Sequence, residues 1–349
     1  MNASPTQLWP SQPRLGILLP PDEGLSAPEL VSLAIRAEAT GYTTVATGEV
    51  AGPEAFALLG MVAGATSRIA LGTGVISMAT RSVPLIAMGF STLESMAPGR
   101  VFAGVGASSP TVVEQWHGRD YPKGLTHARE FLPALRSALK GDRLELHGEV
   151  VQSNGFRLKL APSRMPIVLA AMNPRMLELA GALADGVFLA WCSVEDAAEK
   201  VARVRLGAEK AGKDPDSVTV FQTVHAYTGT NTASVIERLR REILGYATVP
   251  THRPSFERIV RDLDQINELW VRGERRAALA KIDDESVLAF AAIGSPHTVA
   301  ARVQEYWNAG VTCPVLFTVS GQPGRVGQLL ATIEETASSL KFDKASSTI

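Results

Sequence analysis

Several features that mark whole classes of protein are scarce in this 349-residue sequence. It has only two cysteines, Cys192 and Cys313, and neither stands in a CxxC or Cys/His ligand spacing. A disulfide framework and a structural zinc site are therefore not expected. The 34 basic and 35 acidic residues leave a net charge of −1, without a long block of either sign. We expect no metal site and no nucleic-acid partner.

Long hydrophobic runs are missing as well. No stretch approaches the roughly 18 apolar residues of a membrane span. The start of the chain, MNASPTQLWPSQPR, lacks the charged and then apolar order of a secretory signal. The sequence therefore predicts a cytoplasmic protein without a membrane partner. Residues 1–13 and 341–349 are predicted to be flexible ends around a single domain over residues 14–340.

What the sequence does contain is eight short apolar runs, separated by longer amphipathic segments. Each run is nearly continuous in apolar residues, which is typical of strands covered on both faces. The runs are Leu15–Leu19, Thr44–Thr47, Ile69–Ile76, Val101–Val105, Ile167–Ala171, Val187–Ala190, Val218–Val224 and Val315–Thr318. Strand and helix alternating eight times predict an α/β fold, an eight-stranded parallel (β/α)8 TIM barrel. A doubly wound sheet is the alternative.

Two segments exceed a minimal barrel, and we predict them to be insertions after strands 4 and 7. They are residues 107–165 and 228–294. The first contains a hairpin over Leu144–Leu160, with its turn at Ser153–Gly155. The helices predicted within the two segments include Arg129–Leu139, Thr232–Leu244 and Phe256–Arg272. Loops at the C-terminal face build the sites of barrel enzymes, so we expect these insertions to form the walls of a site.

Gly104-Val105-Gly106 ends the fourth run and raises the question of a dinucleotide-binding turn. That fingerprint needs a third glycine at position 109 and an acidic residue about 20 residues later. Position 109 is serine, Pro110 follows, and the segment is long, so the Rossmann interpretation fails. Two interpretations stay open. The glycines let a flat ligand approach the backbone, or they only relieve crowding inside the barrel.

Polar residues after other runs are candidates for the site, each with an ordinary structural alternative. Asn173-Pro174-Arg175 begins a helix whose free N–H groups suit a phosphate, although an ordinary connection is the commoner case. Glu49 follows the second run, where barrel enzymes place acid/base groups, or it is a solvated rim residue. His117 and His225 lie in or next to the insertions, and a lone histidine there is more often structural than catalytic.

Several stretches in a fixed order resemble the bacterial luciferase-like monooxygenase superfamily. They are Ile69–Val75, Arg81–Pro84, Leu93–Arg100, Gly104–Gly106 and Ala180–Val187. Together they span roughly residues 14–320. A second set resembles the branch of that superfamily that uses the deazaflavin coenzyme F420. It consists of Ser108–Pro110, Val112–Glu114, Trp116–Gly118 and Gly141–Gly148.

The resemblance implies that the barrel mouth holds a flat three-ring cofactor, F420 or alternatively FMN. The cofactor-binding residues that it implies are Thr73, Gly74 and Val75 behind the ring, Gly104, Gly106, Ala107 and Ser108 near the ring or its side chain, and Met172, Asn173, Arg175 and Met176 at the phosphate. It also implies a cis peptide bond between Gly74 and Val75. The loop at Trp116–His117 would help to cover the ring.

One departure from the family concerns the catalytic residues. After the second strand the family often has an acidic residue followed by histidine, whereas Glu49 is followed here by Val50. Glu49 is the first candidate for the proton donor, and His117 is the second.

The resemblance implies an oxidoreductase that transfers a hydride between F420 and a small organic substrate. The alternatives are a monooxygenase that uses reduced FMN and a non-catalytic flavin- or deazaflavin-binding protein. The resemblance further implies a homodimer, with the helix Leu85–Met96 as a contact.

Overall fold

The strands of the chain form one main sheet and one small hairpin. The computed structural model describes residues 14–250, 252–322 and 324–340. Its strands are β1 (Gly16–Leu19), β2 (Thr44–Thr47), β3 (Ala70–Thr73), β4 (Ile76–Ser77), β5 (Val101–Gly106), β6 (Glu145–His147), β7 (Gln152–Asn154), β8 (Ile167–Ala170), β9 (Gly186–Leu189), β10 (Thr219–Thr228), β11 (Ala291–Gly294) and β12 (Cys313–Thr318). The predicted flexible ends fall outside the described residues, so the predicted domain boundaries stay a prediction.

Eight of these strands close into a parallel barrel. They pair in the order β1-β2-β3-β5-β8-β9-β10-β12, and β12 pairs back onto β1 with Gly16 opposite Val315. Each corresponds to one of the eight apolar runs, and all eight are almost completely buried, as strands with helices outside and side chains inside must be. The predicted TIM barrel is confirmed, and the doubly wound alternative is wrong.

Helices surround the barrel between successive strands. They are α1 (Ala27–Ala39), α2 (Ala55–Ala65), α3 (Val83–Met96), α4 (Gly124–Leu139), α5 (Pro174–Leu183), α6 (Val194–Lys210), α7 (Thr232–Ala247), α8 (Leu263–Val271), α9 (Arg275–Ala280), α10 (Asp284–Phe290), α11 (Pro296–Asn308) and α12 (Val326–Leu340). Several begin at a serine cap followed by proline. At α1, for example, the Ser26 N–H donates to the Glu29 carboxylate at 2.8 Å, and this bond fixes the start of the helix. Within the described residues, no helix is long and apolar enough to cross a membrane.

The two predicted insertions are present, but the first hairpin differs from the prediction. Its strands β6 and β7 pair antiparallel, with His147 opposite Gln152, so the turn lies between these residues and not at Ser153–Gly155. The carboxylate of Glu130 on α4 accepts hydrogen bonds from the backbone N–H groups of residues 149–151, at 2.9–3.0 Å. These hydrogen bonds to a side chain about 20 residues earlier hold the turn. Nothing in the sequence of residues 148–151 themselves indicates the contact.

The second insertion contains a shorter helix than predicted. The predicted helix Phe256–Arg272 is wrong in its first half, because α8 begins only at Leu263. Asp262, just before it, lies in the left-handed region with φ of +53°, and this ends any helix that comes from Phe256. Phe256 instead packs as a fully buried side chain beside Phe290, with ring centres 5.3 Å apart.

The hydrophobic core has two parts, one outside the barrel wall and one that extends from the barrel interior to the helices of the second insertion. The outer part lies between the strands and the surrounding helices. The inner part contains three stacked rings: Phe221 lies 5.6 Å from Phe102 and 5.4 Å from Phe188, centre to centre. These rings fill the lower barrel, so a ligand can enter only above them, at the C-terminal ends of the strands.

Candidate active site

The candidate site lies at the C-terminal ends of the barrel strands, where one arc of the rim is open. We call this part the open arc, and it follows or ends β2, β3, β5, β8 and β9. Its side chains are small and partly exposed; they are Gly48, Gly74, Val75, Ala107, Ala170 and Ala190. Further around the rim, His225 near the end of β10 and Val319 after β12 are buried. A flat molecule can approach the backbone only where the side chains are this small.

The peptide bond between Gly74 and Val75, directly after β3, is cis. This confirms the expectation drawn from the resemblance. The segment is bonded to the end of β2, since the Gly74 N–H donates to the Thr47 carbonyl at 2.8 Å. The Glu49 N–H donates to the Val75 carbonyl at 3.3 Å. The structure therefore brings Glu49 and Val75, both predicted site residues, side by side.

Gly104 and Gly106 are buried, and each has a close neighbour that requires a glycine. A Cβ atom on Gly104 would lie 1.7 Å from the Thr73 carbonyl oxygen, and one on Gly106 would lie 2.8 Å from the Val75 side chain. The Thr73 hydroxyl also donates to the Gly104 carbonyl at 2.5 Å. Crowding inside the barrel therefore accounts for both glycines, which support the open arc from behind. Direct contact of either glycine with a ring stays a prediction.

Glu49 is held in a bidentate ion pair with Arg81. Arg81 Nε donates to Oε2 at 3.0 Å and Nη2 donates to Oε1 at 2.6 Å, while Nη2 also donates to Glu54 at 2.5 Å. The hydrogen bond to Glu49 is the main cause that raises the pKa of Arg81. Both carboxylate oxygens of Glu49 therefore already accept hydrogen bonds from one rigid guanidinium group. The arrangement therefore suits an anchoring function for Glu49 better than the predicted acid function.

Two helices begin together beside the open arc. α5 begins at Pro174 after the N-cap residue Asn173, and α4 begins at Gly124. A Cβ on Gly124 would lie 3.9 Å from Met176 Cε and 3.6 Å from Ala107 Cβ, so both helix starts meet the end of β5. The first N–H groups of a helix and its dipole favour an anion. The geometry therefore fits a phosphate at this point, where Asn173 and the exposed Arg175 also lie.

Comparison with known proteins gives the family. The sequence profile described as luciferase-like monooxygenase matches residues 11–313. The chain belongs to this family. It is 26% identical over 289 residues to 5,10-methylenetetrahydromethanopterin reductase from Methanolobus tindarius, an alignment that covers 81% of this chain and 88% of that protein. The prediction of an enzyme of the luciferase-like family is thereby confirmed.

Solved structures show the same fold as this member of the luciferase-like family. The coenzyme F420-dependent tetrahydromethanopterin reductase from Methanopyrus kandleri superposes with a TM-score of 0.79 at 23% identity. An F420-dependent secondary alcohol dehydrogenase in complex with an F420-acetone adduct superposes with a TM-score of 0.78 at 19% identity. Each comparison covers 95% of this chain and 99% of the other.

The loop that the family resemblance places over the ring lies on the surface. His117 follows a π-helical segment, Thr111–Trp116, and both His117 and Trp116 are exposed. A later part of the same insertion does reach the rim, because the Tyr121 hydroxyl donates to the Ser108 carbonyl at 3.1 Å. Ser108 has a φ of +64°, a strained conformation of the kind that clusters at functional sites. Ser108 therefore stays a candidate, while nothing in the geometry supports a catalytic function for His117.

Sequence analysis missed three features of this rim in the luciferase-like chain. Arg81 belongs to a recognised motif, but its partner Glu49 lies 32 residues away, so the pairing itself gives no sequence signal. Trp191 has a φ of +46° and its ring stacks on the ring of His225, with centres 4.4 Å apart. Glu242 on α7 lies beside His225, with Oε2 3.6 Å from Nε2. Trp191 stands just after β9, which was its one signal in the sequence, whereas Glu242 lies within α7 and has no such signal.

Proposed function

We propose that the chain is an F420-dependent oxidoreductase that transfers a hydride between the cofactor and a small organic substrate at the barrel mouth. The observation that carries this proposal is the open arc of small side chains, joined at one end to two converging helix starts. Relatives support it, because the Methanopyrus kandleri reductase and the secondary alcohol dehydrogenase of the same fold are both named as F420-dependent.

The residues of the open arc fit a flat ring with a phosphate tail. Gly74 and Val75 would support one face of the ring, and Ala170 and Ala190 leave room along its edge because their side chains are single methyl groups. The starts of α4 and α5 would hold the phosphate. The cofactor, when bound, supplies the hydride chemistry, and the protein positions and shields it. Glu49, fixed by Arg81, would accept a hydrogen bond from the ring or from the substrate.

An experiment that supplies two cofactors separates this proposal from the flavin alternative. Reduced F420 and reduced FMN are each mixed with the full chain and a panel of small ketones and aldehydes. We expect F420 fluorescence to rise without oxygen as the cofactor is oxidised, in a manner that depends on the carbonyl compound. Oxygen uptake with reduced FMN, coupled to substrate oxygenation, would instead identify a monooxygenase. That result, with no oxidation of F420, would refute the proposal.

We further propose that two copies of the chain associate through the outer face of α2 and α3. Large apolar side chains on this face are 44–50% exposed; they are Met61, Leu85, Met88 and Met96. Of these, the three on α3, Leu85, Met88 and Met96, line a groove of about 320 Å³ together with Phe56. A contiguous exposed apolar patch of this kind is typical of a protein–protein contact. The helix Leu85–Met96 predicted as a dimer contact lies within α3 and is part of this face.

A further inference from the structure

The side of the barrel opposite the open arc contains a buried histidine near the C-terminal ends of the strands. His225 stands four residues beyond Phe221 on β10 and therefore points to the same, inner side. Phe221 is fully sealed, whereas His225 and its neighbours in register, Phe317 on β12 and Leu18 on β1, keep 6–8% of their surface accessible. These three buried side chains therefore lie one layer above Phe221, toward the C-terminal ends of the strands, and each keeps a small accessible surface.

His225 is held between aromatic rings and a carboxylate. Trp191 stacks on one face of its ring at 4.4 Å, and Phe317 meets it edge-on at 5.0 Å. Its Nε2 atom lies 3.6 Å from Oε2 of Glu242, a residue of α7. The other carboxylate oxygen of Glu242 lies 3.3 Å from Arg238 Nε, without the geometry of a hydrogen bond. The ring of His225 and the carboxylate of Glu242 are therefore neighbours, slightly beyond hydrogen-bond distance.

The charged groups around Glu242 come from three elements. Arg238 does not neutralise Glu242 alone, because it also bonds Asp22 at 3.2 Å and the fully buried Glu23. Glu23 in turn accepts from the Ser320 hydroxyl at 2.7 Å, which fixes the whole group in place. The titratable and charged groups that face Glu242 are Asp22 and Glu23 after β1, His225 on β10, and Arg238 and Tyr246 on α7.

This setting favours a proton on Glu242 and a neutral ring on His225. Burial, together with the nearby charge of Asp22, raises the pKa of Glu242 to about 7. Burial, together with the charge of Arg238, lowers the pKa of His225 to about 3. A carboxyl group that exchanges its proton near neutral pH is well suited to acid catalysis. A neutral imidazole can accept a proton at one nitrogen as it releases one from the other.

Glu49, the acid expected from sequence, has the opposite environment. Its two oxygens are both bound by the Arg81 guanidinium, at 2.6 and 3.0 Å. The site therefore has one carboxyl group bound on both oxygens by a guanidinium on the side of the open arc, and another, whose pKa is raised, on the opposite side. Two carboxyl groups with such different surroundings commonly have different catalytic functions.

We propose that the His225–Glu242 pair is the proton donor of the hydride-transfer reaction and that the substrate is an uncharged, largely apolar carbonyl compound. This rests on the proposed function. The apolar side chains Leu18, Phe317 and Trp191 line this side of the mouth. The cation of the cluster, Arg238, is already paired with acidic residues, so it does not offer a site for a phosphorylated or carboxylated substrate.

The carbonyl carbon would accept a hydride, with its electron pair, from the reduced deazaflavin, which would thereby be oxidised by two electrons, and the C=O π pair would move onto oxygen. That oxygen takes a proton from one nitrogen of His225, while Glu242 gives its proton to Nε2. The neutral ring changes tautomer, and the Glu242 carboxylate takes a new proton from solvent. In the reverse direction, an alcohol loses a hydride and a proton by the same path.

The test follows the oxidation of reduced F420 by cyclohexanone with the full chain, without oxygen, across a range of pH. In the wild type we expect the rate to fall as pH rises through about 7, because the protonated form of Glu242 is consumed. Glu242→Gln should slow the reaction about 100-fold and remove this pH dependence. The control, Glu237→Gln on the same helix, should match the wild type. F420 affinity, measured by fluorescence quenching, should be the same in all three proteins.

A second measurement needs neither cofactor nor substrate. Infrared difference spectra of the cofactor-free chain should show a protonated carboxyl band that disappears as pH rises through about 7 and is missing in Glu242→Gln. The proposal is overturned if this band is absent, or if Glu242→Gln keeps the wild-type rate and pH profile. It is also overturned if the wild type binds F420 but does not reduce cyclohexanone. Failure of the wild type to bind F420 refutes the proposed function instead.

Discussion

At the residue scale, the most constrained glycine is Gly104, because the backbone of the neighbouring strand β3 occupies the space that a Cβ atom would need. The Thr73 carbonyl oxygen lies 1.7 Å from where a Cβ would stand, and backbone cannot rotate away as a side chain can. Gly104→Ala should therefore lower the free energy of unfolding by about 3 kcal/mol. Urea denaturation followed by circular dichroism measures this.

A matched control for Gly104 is Gly245, a helical glycine with nothing within 4 Å of its Cβ position. Gly245→Ala should leave the free energy of unfolding unchanged or raise it by up to about 1 kcal/mol. Equal effects of the two substitutions would show that the close approach of β3 to β5 is not what fixes Gly104.

His225 makes stability depend on pH. Burial lowers its pKa to about 3 in the folded chain, whereas an exposed histidine in the unfolded chain takes up a proton below about pH 6.5. Only the unfolded state then binds the extra proton, so stability falls as pH falls through this window. Relative to His225→Gln, the wild type should lose about 2 kcal/mol between about pH 7.5 and pH 5.

Urea titrations at the two pH values measure this difference, with the exposed His297→Gln as the control. The control should keep the pH dependence of the wild type. The Glu242 contribution has the opposite sign, since a raised carboxyl pKa lowers stability as pH rises from about 4.5 to 7. It is present in all three proteins, and because its causes are burial and the charges of Asp22, Glu23 and Arg238 rather than His225, we expect it to be nearly the same in each. A pH dependence unchanged by His225→Gln would contradict the buried, neutral assignment.

Some site residues could be found from sequence and others could not, for a physical reason. The helix start at Asn173 depends on a few consecutive residues, and the sequence pattern predicted it, whereas the cis bond at Gly74–Val75 was implied by the family resemblance. Two other pairs form between elements that are far apart in the sequence. They are Arg81 with Glu49 and His225 with Glu242. A contact of this kind leaves no local pattern, so it had to be seen in the structure.

At the element scale, the same distinction explains which boundaries were correct. The eight strands are buried on both faces, and continuous apolar composition records that burial directly. The turn of the β6–β7 hairpin is held by Glu130 of α4. The helix α8 begins only at Leu263, later than predicted, because Asp262 adopts a left-handed backbone conformation. In both cases a tertiary contact or a single backbone conformation decided the boundary, and periodicity carries no information about either.

The exposed face of α2 and α3 leads to a prediction about assembly. Met88→Asp places a charge in the middle of the apolar face, next to the groove lined by Phe56 and Met96. If this face joins two copies, light scattering should give twice the chain mass for the wild type and the single mass for the variant, because burying an unpaired charge is costly.

The control for this experiment is Val271→Asp, at the end of α8. Val271 is the most exposed of the large apolar side chains, at 78%, but it lies in the second insertion and away from α3. It should leave the mass unchanged. A single-mass wild type, or a dimer that survives Met88→Asp, would contradict an interface at this face.

At the scale of the whole molecule, the closed barrel explains why the site lies at one end. Stacked phenylalanine rings seal the interior, and helices cover the outside, so the strand ends are where backbone and solvent meet around a common centre. Small residues leave one side of this rim open for a flat cofactor. On the other side His225, Glu242 and Trp191 form a wall. Cofactor and substrate would therefore meet between two sides of different chemistry.

Binding of coenzyme F420 at the open arc can be measured by fluorescence titration of F420 with the purified chain. We expect quenching with a Kd of about 10 µM or tighter. Ala170→Trp, which fills the arc, should abolish it, while Ala198→Trp on the exposed surface of α6 should not. The contradicting result is no quenching by the wild type at tens of micromolar, or equal binding by all three proteins.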